Sequence, residues 1–417
     1  MTAAMDPRIV VARLGTDGAG VADDGLRLPG TLPGEVVTLR RDGTPAILCP
    51  SPDRVAPPCR HARSCGGCAL QHASDRFVAA WKQDRAHAAL ADRGLVAPPG
   101  PMHVSPPGSR RRATLAGRRL KSGALVGFRA ARSHEIVAIP ECRLLHPRLM
   151  AALPALRALV TAGAARSATL RLSLTATETG TDVAVAGGKA PDAGLRARLA
   201  RIATGAGFAR LTWDGEPIAQ TVPPRLTLGR APVHPPPGAF LQATEMGEAA
   251  LRDAVRDAVG DAQGIADLFA GIGTFALQLA ATAQLHAVDA SAPALAALAA
   301  GWRRAGGLHP VTTETRDLFA RPMTGPELSR FDAVVIDPPR SGAPAQMRAL
   351  AAHGPARIAA VSCNPESFAR DAAILVAGGY TLDWVRVVDQ FRWSAHVELA
   401  AAFSRGGACR RPRTGEA

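Results

Sequence analysis

The sequence predicts an α/β protein in which a doubly wound parallel sheet follows two other units. Beyond residue 238, apolar strand-like segments alternate with helical patterns, and repeated alternation of this kind is typical of a parallel sheet. A glycine turn separates one of these strands from its helix, and proline-rich joints at 50–58, 98–107 and 232–237 divide the chain. Because 417 residues can bury more than one core, we expect three units. They span residues 5–50, 56–237 and 238–417.

The first unit has the composition of a small β-barrel of the oligonucleotide-binding (OB) type. Residues 10–14 and 35–39 are rich in β-branched side chains, as strands are, and glycines punctuate the turns around them. A short barrel with glycine-rich turns fits this pattern, and other small β-barrels share it. The sequence therefore predicts a small β-barrel here and leaves its subtype open.

The middle unit mixes both kinds of secondary structure. Strand-like segments occur at 109–119 and 170–176, and helical patterns occur at 76–90 and 148–166, so that an α+β arrangement is expected. In the third unit the alternating segments are 264–269, 275–281, 285–289, 292–304, 332–337, 345–352, 357–362 and 366–377.

The overall charge favours a polyanionic partner. The chain has 49 basic and 35 acidic residues, a net charge of +14 that attracts nucleic acid. An arginine- and alanine-rich source would give a similar excess, so charge alone leaves the partner open. The first eleven residues lack the apolar core of a signal peptide, and no apolar run reaches the roughly 18 residues that span a bilayer. We expect a cytoplasmic globular protein that does not bind membranes.

Three cysteines stand close together in the sequence. Cys59, Cys65 and Cys68 form a C-x5-C-x2-C pattern, and the glycines at 66 and 67 allow the tight turn that would point two thiolates at one centre. In a reducing compartment such thiols indicate metal binding or catalysis rather than disulfides. Thiols crowded around a glycine turn are seldom simple core residues, so we predict a metal or cluster site.

Cys142, within a Pro-Glu-Cys-Arg segment, is the best candidate for a fourth ligand. Cys49 precedes a proline-rich joint and Cys409 lies in the tail, whereas Cys363 has another expected role. Four thiolates suit either structural zinc or an iron–sulfur cluster. The uneven spacing and the distant fourth cysteine favour the cluster, with zinc as the alternative. A structural role is expected rather than electron transfer.

The glycine turn in the third unit has features of a nucleotide-binding loop. Gly271 and Gly273 follow an apolar strand, where backbone N–H groups and a helix N-terminus can approach a ligand closely. The third glycine of a dinucleotide fingerprint is missing. Asp289 ends the next strand, where it can accept hydrogen bonds from a ribose, and Asp337 precedes two prolines further on. Together these residues indicate a Rossmann-like site for S-adenosylmethionine.

Cys363 and Glu398 provide the groups for covalent catalysis on a pyrimidine. A thiolate that adds to carbon 6 of uracil makes carbon 5 nucleophilic toward a methyl donor, and a base must then remove the 5-proton. Cys363 follows an apolar strand and can be the nucleophile, with Glu398 as the base. Arg340 or Arg392 could lower the pKa of the thiol. Taken singly, Cys363 also fits a small buried residue at a strand end, and Glu398 fits an exposed strand carboxylate better than a base.

Over nearly its whole length the chain resembles the uracil-5 RNA methyltransferases, in particular the iron–sulfur branch that acts on large-subunit ribosomal RNA. The resemblance rests mainly on Ser-Cys-Asn-Pro at 362–365, Asp-Pro-Pro-Arg at 337–340 and Phe-Leu-Gln at 240–242. It implies a Rossmann-like methyltransferase domain, an N-terminal RNA-binding barrel and a middle domain with a 4Fe-4S cluster. It also implies methyl transfer from S-adenosylmethionine to a uridine of 23S rRNA, with transfer RNA as the alternative target.

The resemblance assigns roles to single residues. Cys363 falls on the nucleophile and Glu398 on the base. The implied cluster ligands are Cys59, Cys65, Cys68 and Cys142. The cofactor residues expected from the glycine turn and the resemblance are Gln242, Phe269, Gly271, Thr274, Asp289, Asp317 and Asp337. Thr274 stands where many relatives have Asn, Arg392 where Pro is common and Ser394 where Thr is common.

A run of basic residues precedes the fourth predicted ligand. Arg110–Arg112, Arg118–Arg119 and Lys121 can follow RNA phosphates, although a solvated basic strand has the same composition. Phe128 or Trp393 can stack a base, and the target base must leave its own stack to reach the nucleophile. No obligate protein partner is inferred.

Two other functions stay open at this point. An amine N-methyltransferase would share the Asp-Pro-Pro-Arg segment, which resembles the signature of that class, and would not need Cys363. A non-catalytic RNA-binding protein would keep the fold without methyl transfer. The nucleophile, the base and the glycine turn together favour the uracil-5 enzyme.

Overall fold

The structure is a computed structural model that describes residues 7–98 and 100–406. Predictions that concern residues 5–6, Cys409 and the rest of the tail after 406 lie outside the described residues. Four β-sheets, of five, seven, two and eight strands, organise the described chain.

The first sheet is small, antiparallel and packed around its own core. Its strands are β1 (Ile9–Leu14), β2 (Gly20–Ala22), β3 (Arg27–Leu28), β4 (Val36–Leu39) and β5 (Pro45–Cys49), in the order β3-β2-β1-β4-β5. The buried side chains of Val11, Leu28 and Val37 fill its interior. A Cβ on Gly20 would meet Thr31 Oγ1 at 2.0 Å, so glycine is required there. The predicted barrel is present as an open half-barrel, since no ladder joins β3 to β5 among the described residues.

The middle of the chain is an α+β unit, as predicted. α1 (Asp75–Ala91) and β6 (His103–Val104) lead into it. Its elements are β7 (Arg112–Arg119), β8 (Ala124–Arg129), β9 (Ile136–Ala138), α2 (Pro147–Ala151), α3 (Leu153–Gly163), β10 (Thr169–Thr177), β11 (Gly180–Ala186), α4 (Ala193–Gly205), β12 (Phe208–Trp213) and β13 (Glu216–Gln220). The strand order is β13-β12-β11-β10-β7-β8-β9. One face of this sheet is buried under α3 and α4, where Leu156, Val160 and Leu199 are fully buried.

The C-terminal part contains the predicted parallel sheet. Its elements are β14 (Leu226–Leu228), β15 (Ala231–Val233), α5 (Glu245–Val259), β16 (Gly264–Leu268), α6 (Ala276–Leu279), β17 (Gln284–Asp289), α7 (Ala292–Ala305), β18 (Val311–Thr315), α8 (Gly325–Leu328), β19 (Ala333–Ile336), α9 (Pro344–His353), β20 (Arg357–Ser362), α10 (Pro365–Ala377), β21 (Thr381–Asp389) and β22 (Glu398–Ser404). The order is β18-β17-β16-β19-β20-β22-β21-β6. The first five strands of this order are parallel, and β22 is antiparallel to both neighbours.

The central strands are buried on both faces, as expected for a parallel sheet covered by helices. All four residues of β19 are buried, and so are five of the six residues of β20. This explains their continuous apolar runs, and it confirms the predicted α/β class with a doubly wound sheet. No helix in the described ranges is long and apolar enough to cross a membrane.

Some segments of the predicted middle unit pack with the C-terminal sheet. α1 packs against α10 and β21, β6 pairs with β21, and the hairpin β14–β15 packs against α7. The boundaries of the three units therefore stay a prediction, while the sheets to which these segments belong are observed.

Candidate active site

The parallel strands end side by side at one edge of the eight-stranded sheet. β16 lies between β17 and β19, and all three run in the same direction, so residues at their carboxyl ends are neighbours. Phe269 follows β16, Asp289 ends β17 and Asp337 follows β19. The structure thus brings these three predicted cofactor residues to one crevice.

The turn after β16 requires glycine. Gly271 and Gly273 have φ values of 55° and 92°, in the left-handed region that glycine enters without strain. A Cβ on Gly273 would also meet Leu298 Cγ at 2.7 Å. The N–H of Gly271 donates to Asp289 Oδ2 at 2.9 Å, which ties the turn to the next strand. Backbone atoms therefore shape this part of the crevice.

Two aromatic rings stand beside the turn. Phe269 has a φ of 63°, which is uncommon outside glycine, and its ring centroid lies 5.5 Å from that of Phe319. Asp317 is exposed, and its carboxylate accepts hydrogen bonds from the N–H groups of Phe319 and Ala320. Thr274, at the end of the glycine turn, is half-buried. The two rings form an apolar wall of the crevice, while Asp317 shapes the loop that carries one of them.

A buried carboxylate lies beside the glycine turn. Asp267, within β16, is fully buried and accepts a hydrogen bond from the Ala276 N–H at 2.9 Å through Oδ2. Its Oδ1 is buried and has no hydrogen-bond partner among the described residues. Burial, followed by the charges of Asp337 and Asp289, raises the pKa of this carboxyl to about 8. An unpaired buried oxygen fits a site that is completed by a donor from a bound ligand.

Cys363 stands at the carboxyl end of β20, directly opposite Glu398. Ser362 pairs with Leu399 across β20 and β22, so Cys363 and Glu398 are the next residues along the same ladder. Burial, followed by the negative charges of Glu398 and Asp337, raises the pKa of the Cys363 thiol to about 11. The structure therefore groups the predicted nucleophile, the predicted base and a predicted cofactor residue.

The two arginines expected near the thiol have different positions. The positive charge of Arg340 opposes the rise in the pKa of Cys363. Arg392 instead donates to the carbonyl of Ser105 at 3.2 Å and pairs with Asp75. Of the two candidates, Arg340 is therefore the one that favours the thiolate.

Side-chain amides connect Asp337 to Glu398. Gln242 Nε2 donates to Asp337 Oδ2 at 3.4 Å. Gln390 Nε2 donates both to Gln242 Oε1 at 2.6 Å and to Glu398 Oε2 at 3.0 Å. The side-chain oxygen Oε1 of Gln390 accepts a hydrogen bond from the Ala243 N–H at 2.6 Å, which fixes the orientation of the Gln390 amide. Gln390 therefore positions both the carboxylate of Glu398 and the amide of Gln242.

Glu398 is a buried carboxylate rather than an exposed strand residue. It is 4% exposed, and burial together with the charge of Asp337 raises its pKa to about 8. The hydrogen bond from Gln390 and the charge of Arg112 oppose this rise. A carboxylate with a pKa near neutrality is suited to accept a proton during a reaction.

The positive charge of Arg112 interacts with Glu398 and Cys363. Its guanidinium stacks over the ring of Phe240 at 4.4 Å, and its Nε is buried without a hydrogen-bond partner in the described part of the chain. Burial lowers the pKa of Arg112 to about 10, and the charges of Glu398 and Cys363 act against this shift. A guanidinium in this position stabilises negative charge on the thiol or the carboxyl group.

The neighbouring arginine has a structural role. Arg111 is 4% exposed, donates to the carbonyl of Gln242 at 3.1 Å and pairs with the buried carboxylate of Glu248. The prediction that Arg111 follows RNA phosphates is wrong, because its charge is neutralised inside the protein. Arg111 instead holds the segment that presents Gln242.

The end of β21 and most of the loop that follows it, residues 389–396, are held by helix α1. Lys82 is fully buried in this helix and donates to Asp389 Oδ1 at 2.7 Å. Arg392 pairs with Asp75 at the start of the same helix. The loop that carries Gln390 is thus fixed by a helix more than 280 residues earlier in the chain.

The cysteine-bearing segment holds the same loop from another side. The carbonyl of Trp393 accepts hydrogen bonds from the N–H groups of Ala69 and Leu70, at 2.8 and 2.9 Å. Trp393 has a φ of 58° and is only 6% exposed. The prediction that Trp393 stacks a base is therefore wrong for this conformation, because its ring is buried in the loop.

We expect Lys82→Met to destabilise the protein strongly. Removing one partner of a buried ion pair leaves the other charge uncompensated, which costs about 3–5 kcal/mol. Both side chains of the Lys82–Asp389 pair are buried, at 0% and 3% exposure. Urea unfolding of the purified variant measures the loss.

The exposed ion pair between Arg196 and Glu216 provides the matched control. Arg196→Met is expected to change the free energy of unfolding by less than about 1 kcal/mol. Equal effects of the two substitutions would show that the buried pair does not stabilise the loop.

The four predicted cluster ligands line one small cavity. They are Cys59, Cys65, Cys68 and Cys142. Burial raises the pKa of Cys68 to about 12 and also raises the pKa values of Cys65 and Cys142, with smaller contributions from neighbouring thiols. Within the described ranges, no three His, Cys, Asp or Glu side chains form a group that could hold a metal ion. What the thiols bind therefore stays a prediction.

Comparison with known proteins agrees with this arrangement. Residues 312–405 match the family model described as tRNA (Uracil-5-)-methyltransferase. An uncharacterized RNA methyltransferase of Brucella suis is 43% identical over 414 residues, which cover 97% of this chain and 100% of that protein. The 23S rRNA (uracil(1939)-C(5))-methyltransferase RlmD of Halomonas elongata is 33% identical, with 97% of this chain and 90% of that protein covered. The chain belongs to the RNA (uracil-5) methyltransferase family.

The RNA (uracil-5) methyltransferase shares its fold with a solved relative. The tRNA (uracil-54, C5)-methyltransferase of Pyrococcus abyssi, in complex with S-adenosyl-L-homocysteine, matches with a TM-score of 0.75 at 24% identity and covers 95% of this chain and 99% of that one. The predicted family and the enzyme class, an S-adenosylmethionine-dependent RNA (uracil-5) methyltransferase, are confirmed. The glycine turn, the aromatic wall and the unpaired oxygen of Asp267 fit this cofactor.

Several residues of the methyltransferase site were missed by sequence reasoning. Asp267 had a visible signal, since it is the one carboxylate within an otherwise apolar strand segment, residues 264–268. Gln390 and Lys82 had no such signal in the sequence, because their importance depends on partners far away along the chain. Arg112 stood within the predicted basic run, and only the structure separates its position from that of Arg111.

Proposed function

We propose that the methyltransferase modifies one specific uridine of 23S rRNA through a covalent bond between Cys363 Sγ and carbon 6 of the base. The observation that supports this most is the position of Cys363 directly across the ladder from Glu398, beside Asp337. Arg112 and Arg340 supply the positive charge that favours the thiolate. S-adenosylmethionine, when bound, supplies the electrophilic methyl group.

In this proposal each step of the reaction depends on a particular residue. The thiolate of Cys363 adds to carbon 6 of uracil, which makes carbon 5 nucleophilic. Carbon 5 would then take the methyl group of S-adenosylmethionine, whose methyl–sulfur bond would break to leave S-adenosylhomocysteine. Glu398 then accepts the proton from carbon 5, and the carbon–sulfur bond breaks to restore the thiolate. Gln390 keeps the Glu398 carboxylate oriented during both steps.

We assign the cofactor contacts to residues around the crevice. Asp289 and Asp337 have the strongest support, because they lie at the carboxyl ends of the two parallel strands that flank β16, beside the glycine turn. The full proposed set is Gln242, Phe269, Gly271, Thr274, Asp289, Asp317 and Asp337. Asp317 has the weakest support, since its carboxylate is exposed and binds the backbone of its own loop.

We further propose that Cys59, Cys65, Cys68 and Cys142 bind a 4Fe-4S cluster with a structural role. The support is their common cavity and the burial that it provides. Thiolates of such a cluster each bind a different iron, so they stand farther apart than the ligands of a single zinc ion. Anaerobically purified protein is expected to be brown, with broad absorption in the visible range. A colourless preparation with stoichiometric zinc would contradict the cluster.

Mapping of methylated uridines tests the proposed target. In cells that lack the methyltransferase, one 5-methyluridine is expected to disappear from 23S rRNA and to return with the wild-type gene but not with Cys363→Ala. Loss of a 5-methyluridine from transfer RNA alone would instead establish the second candidate, which the matching family model and the fold of the tRNA enzyme favour.

The rate of methyl transfer is expected to increase as the pH rises. Glu398, with a pKa of about 8, must be deprotonated to act as the base, and Cys363, with a pKa of about 11, must become a thiolate. Both active forms increase as pH rises, so kcat/KM for RNA is expected to increase from about pH 7 to about pH 9. Cofactor affinity measured over the same range provides the control. A profile that falls with pH would contradict the assigned protonation states.

A further inference from the structure

One face of the middle sheet continues directly from the active site. Ala113 and Leu115 of β7 belong to the buried core. Because side chains alternate along a strand, the even-numbered residues from Arg112 to Arg118 lie on the opposite face. Arg112 stacks over the ring of Phe240, two residues before Gln242 of the active site, and Arg118 lies about 20 Å further along the same strand. The uncovered face therefore starts beside the active site and leads away from it.

The neighbouring strands add positive charge to this face. Arg171 of β10 pairs in register with Ala116, and Arg129 ends the adjacent strand β8 on the other side. Arg118, Arg129 and Arg171 are exposed, and in the described ranges none of them forms an ion pair with a carboxylate. These three guanidinium groups are therefore available to a negatively charged partner.

Arg129 and Arg171 line an open groove on this face, and Arg118 lies on the same face of β7. The groove has a volume of about 440 Å³, and Thr114 and Ala116 lie in it between Arg129 and Arg171. The cysteine-bearing segment forms one wall, since the N–H of Gly66 donates to the carbonyl of Arg129 at 2.9 Å. Small side chains and a rim of arginines suit a phosphate backbone, which needs charge and close approach rather than deep pockets.

We propose that this groove binds the single-stranded RNA next to the target uridine through its phosphates. The target base must leave its stack to reach Cys363, and single-stranded loops allow this most readily, so we expect unpaired nucleotides on either side of the target base. The inference rests on the proposed function, because the position of Cys363 defines where the RNA path ends.

Salt-dependent binding to a short RNA tests the groove. The probe is a fluorescein-labelled oligouridine of about 20 nucleotides, and its affinity is measured by anisotropy with the full chain. Arg118→Gln/Arg171→Gln is expected to weaken binding on the order of tenfold near 0.1 M salt. The slope of log K against log salt is expected to become shallower by about 1.4, or about 0.7 for each lost phosphate contact.

The chain offers a matched control on the covered side of the same unit. Arg198 and Arg201 are exposed on α4, where they line another open groove of about 420 Å³. Arg198→Gln/Arg201→Gln removes the same charge and is expected to leave both affinity and slope near wild-type values. Arg118→Lys/Arg171→Lys is expected to restore most of the binding, because phosphate contacts need charge more than shape.

The outcomes separate this inference from the proposed function. Equal losses in the two glutamine variants, or no loss in either, would overturn the RNA path. Methyl transfer to 23S rRNA by the wild-type protein is followed in parallel. If that transfer does not depend on Cys363, the proposed function fails, whereas the comparison of the two glutamine variants still decides whether the groove binds RNA.

Discussion

Replacing Cys363 by alanine is expected to abolish methyl transfer to RNA, with kcat reduced by at least about 10⁴-fold. The substitution removes the atom that forms the covalent bond, and no other thiol borders Glu398 in the described structure. Loss of a catalytic nucleophile has effects of this order or larger. Transfer of labelled methyl groups to rRNA, under single-turnover conditions, measures the change.

Cofactor binding separates a chemical defect from a folding defect. Cys363→Ala is expected to bind S-adenosylmethionine as the wild-type protein does, because the glycine turn and Asp289 are unchanged. Cys49→Ala provides the control for loss of a thiol, since Cys49 is exposed on β5, and it is expected to keep full activity. Full activity of Cys363→Ala would exclude the covalent mechanism and would favour methylation of an amine.

Glu398→Gln is expected to accumulate a covalent complex between the protein and RNA. The amide can still accept the hydrogen bond from Gln390, so the geometry is kept, but it cannot take up the proton from carbon 5. Removing the negative charge of Glu398 also lowers the pKa of the Cys363 thiol, which favours the first addition. Overall turnover is expected to fall by about 10²–10⁴-fold.

A denaturing gel detects this complex as a species that migrates more slowly than the free protein. Its formation is expected to require both RNA and S-adenosylmethionine, because the methylated adduct is the form that needs the base. The double variant Cys363→Ala/Glu398→Gln is the control and is expected to form none. If Glu398→Gln turns over normally, another group removes the proton.

The sheet could be predicted because its central strands are buried on both faces. Ala333–Ile336 and Arg357–Ser362 are nearly continuous apolar runs, and such short runs stand out from the segments on either side of them. β18 could not be predicted in this way. Its sequence, Val-Thr-Thr-Glu-Thr, lies at the edge of the sheet and has only its first residue buried.

The candidate site was predictable only where residues lie at the ends of strands. Cys363, Asp289 and Asp337 follow apolar runs, and parallel strands bring such ends together without any further information. The environment of Glu398 depends instead on Gln390 and on the pair formed by Lys82 and Asp389, which are 307 residues apart. Contacts over such separations leave no periodic pattern in the sequence.

Residues 389–396 are held in place by segments from the first quarter of the chain, so the C-terminal sheet is not an independent module. A fragment that begins at residue 238 would contain both reacting groups, but it would lack Lys82 and the backbone donors of Ala69 and Leu70. Asp389 would then lose its counter-ion. The C-terminal sheet therefore cannot be transplanted as a self-sufficient catalyst, and during synthesis the nascent active site becomes complete only when it docks on segments made long before it.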